Sequence, residues 1–207
     1  KDSSMPGLQF CHATGFNALT YKKLLEPLAN SFHIRAEDAR GHGFTEISAV
    51  PNTIYDWKIY RDDLILSVES FVEKKGEAVI LGGHSMGGAS VMQVAAERPD
   101  LVSGIVLVEP VLISELSLNI LKLARKFPAT KFIPMIKEMT SRSDSTLKRR
   151  VEFPNKEMIL KSYKGRGAFS TWNKGFLEDY IQGGTKSYKD KIKLTCDPKW
   201  EAATFAS

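Results

Sequence analysis

Ser85 stands in Gly83-His84-Ser85-Met86-Gly87, where the apolar run Ala78-Val79-Ile80-Leu81 gives way to a helical pattern. A G-x-S-x-G pentapeptide in that setting suits a serine held on a sharp strand-to-helix turn, its hydroxyl projecting into open space. Such a hydroxyl attacks an electrophilic carbon, a carbonyl above all, and forms a covalent intermediate that water later resolves. Gly83 and Gly87 let the corner close without Cβ clashes. Alone, the pentapeptide also describes an ordinary Gly-Ser turn between two elements, so its meaning depends on its surroundings.

Two further segments share its layout. Leu8-Gln9-Phe10-Cys11 is an apolar strand running into the small-residue loop His12-Ala13-Thr14-Gly15-Phe16. A second strand pattern from Ile34 runs into Asp38-Ala39-Arg40-Gly41-His42-Gly43. Taken with the serine turn, these segments resemble the α/β-hydrolase superfamily, in its branch of lidded serine hydrolases. His12-Ala13-Thr14-Gly15 is similar to the H-G-x-G loop after the family's third strand, with Ala13 in place of the first glycine. Asp38 to Gly43 is similar to the D-x-R-G-H-G turn after the fourth strand, and Gly83 to Gly88 to the nucleophile elbow after the fifth. The resemblance covers Leu8 to Pro110.

This resemblance implies a three-layer α/β sandwich with a central, mostly parallel sheet and a helical lid inserted after the sixth strand. It divides the chain into a hydrolase core at 1–110, a lid at 111–191 and a return towards the core at 192–207. It also implies Ser85 as nucleophile, with the backbone N–H groups of Met86 and Thr14 as oxyanion donors. His12 becomes a structural member of its loop, His42 and Asp38 turn stabilisers, and His84 a packing residue. Glu109, directly after the sixth strand, occupies an alternative acid position in such enzymes and could equally hydrogen-bond its own loop. Asp197, before Pro198, is a weaker candidate.

The general base is the missing part. The family order is Ser, acid, His, yet no histidine follows His84, and His33 has no motif around it. The first matched strand begins near residue 8, leaving no room for two earlier strands, and the chain stops before the last two. A sequence cut back at both ends is the favoured explanation over an evolved pseudoenzyme. The expected activity is cleavage of a carboxylic ester or similar acyl compound, with the chain as given nearly inactive. C–C bond hydrolysis and cofactor-free haloperoxidation fit the same motifs. A non-catalytic ligand-binding protein on a hydrolase scaffold is the alternative of another class.

Composition sets outer limits. The 207 residues are 43% hydrophobic, enough for a real core, and favour one domain with an insertion. No run of about eighteen apolar residues occurs, and Lys1-Asp2-Ser3-Ser4-Met5-Pro6 lacks a signal-peptide apolar region, so a cytoplasmic enzyme without an integral membrane segment is expected. Cys11 and Cys196 are too few and too far apart for a disulfide framework or a zinc site, and read as structural thiols. Neither G-x-x-x-x-G-K-[ST] nor G-x-G-x-x-G occurs, and no cofactor or metal is expected. Residues 111–191 carry 17 Lys+Arg against 8 Asp+Glu, whereas the remainder has 12 against 16. That surplus reads first as a solvated face, and second as a field attracting anionic substrates or membrane surfaces. Nucleic acid is not an expected partner, because Lys148-Arg149-Arg150 is a single cluster without a recognition motif. A small-molecule substrate is expected; the oligomeric state is not legible.

Strand and helix patterns alternate up to Pro110, favouring a parallel sheet. Leu64, Val68, Phe71 and Val72 mark a helix over Arg61 to Lys75, with Asp62 and Asp63 in its first turn. Ala89 to Arg98 reads as a second helix, and Gly104 to Val108 as a buried strand. From Val111 on, amphipathic helices such as Leu116, Ile120, Leu123, Ala124 are broken by Pro128, Pro134, Pro154 and Lys164-Gly165-Arg166-Gly167, with no convincing strand alternation.

Overall fold

The computed structural model describes residues 5–127 and 134–207. Lys1 to Ser4 and the expected helix breaker Pro128 lie outside the described residues.

Strands β1 (Gly7–Cys11), β2 (His33–Glu37), β3 (Val79–His84) and β4 (Val102–Val108) form one sheet in the order β2-β1-β3-β4, every neighbouring pair parallel. An all-parallel sheet must be covered on both faces, because its crossovers lie there. Alternation along β1 sorts its side chains accordingly. Phe10 joins Tyr21 and Leu25 on one face, beside the 3-10 turn Ala18–Tyr21 and the short helix α1 (Lys22–Leu25). On the other face, helices α2 (Lys58–Lys75) and α3 (Met86–Glu97) close the main core of Leu64, Val68, Phe71, Val79, Leu81, Val91, Val94 and Leu101. This is the expected three-layer α/β arrangement.

Helix α2 begins at Lys58, before the expected Arg61, because the Asp56 carboxylate accepts the Lys58 N–H at 3.0 Å. Asp62 and Asp63 therefore fall beyond its first turn, where they are of little use to the helix dipole. Gly76, at φ 75°, ends the helix and donates its N–H to the Val72 carbonyl at 2.8 Å. Helix α3 begins at Met86 rather than Ala89, directly after Ser85.

The expected buried strand after α3 forms as β4, but its burial differs. Ile105, Val106 and Val108 are 45%, 53% and 40% exposed, because among the described residues β4 pairs only with β3. The apolar run marks a strand made to be covered, and its outer edge has no described neighbour.

Helices α4 (Glu115–Lys126), α5 (Pro134–Leu147), α6 (Lys156–Tyr163) and α7 (Phe176–Gly183) follow, with Pro134 opening α5 instead of interrupting a helix. Strands occur here as well. The pieces β5 (Glu152–Phe153), β6 (Thr185–Tyr188) and β7 (Lys191–Leu194) form an antiparallel sheet in the order β5-β7-β6. Strands of two to four residues are too short for alternation to register in sequence. Phe153, Ile159, Leu177, Tyr180, Ile181 and Leu194 make a second core around them.

The last helix, α8 (Pro198–Ala206), is capped by the Asp197 carboxylate, which accepts the Lys199 N–H at 2.7 Å. It docks on the segments after β2. Trp200, 1% exposed, donates its indole N–H to the Arg40 carbonyl at 3.0 Å. The Trp57 indole donates to the Thr204 carbonyl at 2.9 Å, and the Tyr60 and Thr204 hydroxyls meet at 2.7 Å.

Candidate active site

Parallel strands deliver the loops after their C-terminal ends to one rim of the sheet, where open α/β sheets place their sites. The loop after β1, the turn after β2, Ser85 after β3 and Glu109 after β4 all occupy such positions. Ser85 has φ 54° and ψ −115°, a conformation costly for a residue with a side chain. The fold holds it there. Its N–H donates to the Val108 carbonyl at 3.1 Å, and its own carbonyl accepts from Ala89 at 3.0 Å and Val111 at 3.3 Å. A Cβ at Gly83 would strike the Gly87 backbone, and one at Gly87 would fall on the Cys11 carbonyl. Both glycines are thus fixed by close backbone approach, and the start of α3 is pressed onto the end of β1.

Three of the side chains expected to be structural do hold the rim. The Asp38 carboxylate accepts the Ala18 and Phe44 N–H groups, each at 2.8 Å, tying its turn to the loop after β1. His12 and His42 are each 1% exposed and bridge backbone to backbone. The Ala39 N–H donates to His12 Nε2 at 2.9 Å, so that imidazole carries its proton on Nδ1, facing the Ala13 carbonyl at 2.8 Å. The Gly15 N–H donates to His42 Nε2 at 3.0 Å, and His42 Nδ1 faces the Arg40 carbonyl at 2.9 Å. Both rings must be neutral, since a protonated Nε2 cannot accept. Burial pushes both below the ordinary histidine value of 6.5, His42 to about 3, with the neighbouring His12 adding to the shift.

Loop and elbow are also joined through Tyr21. Its hydroxyl accepts the Ala13 N–H at 3.0 Å and shares a hydrogen bond with His84 Nδ1 at 2.6 Å. His84 Nδ1 is therefore engaged by Tyr21, and burial lowers the affinity of this ring for a second proton while Glu109 raises it. In the loop after β1 the N–H groups of Ala13, Gly15 and Phe16 are spent on Tyr21, His42 and the Ala13 carbonyl. That of Thr14 has no acceptor among the described residues. Met86 is the first residue of α3, so its N–H lacks an intrahelical acceptor as well.

Glu109 is exposed, at φ 42°, and makes no hydrogen bond among the described residues. His33 lies in β2, its ring edge-on to Phe71 at 5.4 Å. Asp197 caps α8. None of the four histidines hydrogen-bonds Ser85 Oγ. Among the described residues no cluster of three His, Cys, Asp or Glu side chains could hold a metal ion. A cavity of about 110 Å³ lies behind the elbow, against Cys11, Met86 and Ser90, and Ser85 does not line it.

Phe16 connects this rim to the second core. Its ring lies 6.2 Å from His84, 5.3 Å from Trp172, 5.8 Å from Tyr180 and 6.4 Å from Phe169. Sequence reasoning missed Tyr21, which has no motif, and the pair Arg149 and Glu201, which meet across 52 residues beside Gly15.

The family model of Hydrolase_4, serine aminopeptidase S33, matches residues 7–161. This chain belongs to that family. Among its relatives, the 2-(acetamidomethylene)succinate hydrolase of Mesorhizobium japonicum is 32% identical over 106 residues, covering 51% of this chain and 36% of the relative. Human monoglyceride lipase is 32% identical over 105 residues, covering 50% of this chain and 34% of the lipase. The matched stretch thus spans about a third of these relatives. In three dimensions this chain superposes on the crystal structure of E-2-(acetamidomethylene)succinate hydrolase with TM-score 0.68 at 20% identity, covering 98% of this chain and 65% of that one. The thioesterase domain of the curacin biosynthetic pathway gives 0.69 at 18% identity, over 97% and 67%. These likenesses establish the α/β-hydrolase fold.

Proposed function

We propose that this chain is the nucleophile-bearing portion of a cytoplasmic serine hydrolase that cleaves a carboxylic ester or similar acyl compound through an acyl-enzyme on Ser85. The observation that carries the reading is Ser85 at φ 54°, held on the strand-to-helix corner beside a loop with one unspent amide. In this reading Ser85 Oγ attacks the carbonyl carbon, and the Met86 and Thr14 N–H groups receive the developing oxyanion. Glu109 is retained as the candidate acid that orients the base. None of the four imidazoles present hydrogen-bonds Ser85 Oγ, so none of them is assigned as the base. Loss of the histidine in a comparable enzyme costs on the order of 10⁶ in turnover, so these residues alone are expected to be nearly inactive. Residues 111–191 act as the lid that shapes substrate choice, a role supported by the aromatic packing on Phe16.

Relatives include an enzyme named for hydrolysing an acetamidomethylene succinate, a monoglyceride lipase and a putative non-heme haloperoxidase of Mycobacterium phage D29, so the acyl class is broad. The absence of any imidazole contact to Ser85 Oγ favours one second reading, a ligand-binding protein on the same scaffold. A fluorophosphonate probe separates the two. Labelling of Ser85 in the full-length gene product, lost in Ser85→Ala, supports the hydrolase. No labelling, with ligand binding that survives Ser85→Ala, overturns it.

A further inference from the structure

Arg149 follows α5 and Glu201 lies in α8, yet the guanidinium engages both carboxylate oxygens, Nη1 to Oε1 at 3.1 Å and Nη2 to Oε2. Glu201 is 5% exposed, and among the described residues its carboxylate has, beyond Arg149, the Cys196 thiol at 3.8 Å. This carboxylate fills the space that a Cβ at Gly15 would occupy. Gly15 is thus held on two sides, with its N–H on His42 Nε2 at 3.0 Å and its Cα against the paired carboxylate. The neighbouring residue carries the unspent Thr14 N–H.

An ion pair with one partner buried, as Glu201 is here, is a poor way to gain stability, since well-packed apolar side chains of the same volume commonly do as well or better. Its directional, bidentate geometry fixes position instead. We infer that the Arg149–Glu201 pair is a positioning device that sets the loop bearing the Thr14 N–H, so that a segment following α5 and the helix α8 together determine the oxyanion geometry. The inference rests on the hydrolase reading. Without Arg149, Glu201 is an unpaired buried carboxylate, which must move or draw in water, and Gly15 loses the wall that defines its peptide plane.

The test uses the full-length gene product with p-nitrophenyl acetate. Arg149→Met is expected to lower kcat about 10- to 100-fold, part of the 10²- to 10³-fold that loss of a whole oxyanion donor costs. KM is expected to stay within about twofold, because an interaction made only in the transition state is being weakened. Arg149→Lys, which keeps the charge, is expected to recover much of the loss, and Glu201→Gln to behave like Arg149→Met. The double variant Arg149→Met, Glu201→Met fills the space without charge and is expected to regain the melting temperature but not kcat. A double variant that regains both would make the pair merely structural and overturn the inference, as would unchanged kcat in folded Arg149→Met. Absence of Ser85 labelling in the wild type is a separate result, which removes the hydrolase reading and this inference with it.

Discussion

Acid should unfold this protein through His42, and the size of the effect follows from the burial of its ring. In the folded chain Nε2 accepts the Gly15 N–H and Nδ1 donates to the Arg40 carbonyl, so protonation requires breaking the first bond inside a site that is 1% exposed. The folded value is about 3 against an ordinary 6.5, with burial as the main cause and His12 as the next. The depressed value means that the unfolded chain takes up the proton first. Stability is therefore fully present above pH 6.5 and is lost as pH falls towards 3. At pH 4.5 the loss from this one group is about 2.7 kcal/mol, a large share of the roughly 5–15 kcal/mol that a typical domain possesses. His12, shifted in the same direction, adds to it. Urea unfolding followed by tryptophan fluorescence from pH 7.5 to 4.5 measures the slope. His42→Gln is expected to lower stability at neutral pH and to flatten that slope by about one proton. Parallel slopes for the two proteins, or a wild type that gains stability on acidification, would refute the reasoning.

Gly87→Ala should place a methyl group on the Cys11 carbonyl and lower the melting temperature by roughly 5–10 °C, read by circular dichroism; an unchanged melting temperature would mean that α3 can lift off β1 freely. Cys11 and Cys196 are both pushed up to about 12 by burial, so neither should react with iodoacetamide at pH 7.5 until urea is added, as intact mass would record. Rapid native alkylation of either would contradict the packing described for it.

The rim of the sheet was legible because its constraints are local. Ser85 with its glycines, Asp38 on the Phe44 N–H and His12 on the Ala13 carbonyl each have a contact within a few residues of the backbone they organise, so the type and spacing of side chains announce them, although not the longer reach of Asp38 to Ala18 or of His12 to Ala39. The start of α2 was misjudged by a few residues because Asp56, outside the apolar repeat, binds the N–H of its first residue, Lys58. The small sheet of β5, β7 and β6 escaped notice because its strands hold together through pairings such as Phe153 with Ile192, far apart in the chain, and not through alternation within each strand. The contacts that brace the rim from behind were invisible for the same reason: Trp200 reaches Arg40 across 160 residues, and Asn17 reaches the Tyr180 carbonyl across 163. The exposed side chains of β4 show a different limit, since a run of valine and isoleucine states that a strand is made for burial but not what buries it.

Phe16 has one ring and two neighbourhoods. It packs beside Tyr21 and Phe10 in the core below the loop, and beside Trp172, Phe169 and Tyr180 above it. In the lid reading proposed above, the seam between scaffold and insertion therefore runs through the middle of this side chain and not only through Pro110, where the sequence changes character. Anyone grafting a foreign insertion onto this scaffold to change what it accepts inherits that seam. On that reading the exchangeable unit is residues 111–191 plus Phe16, and a chimera that respects the sequence boundary while ignoring the ring would bring two half-sockets that were never cut to fit each other.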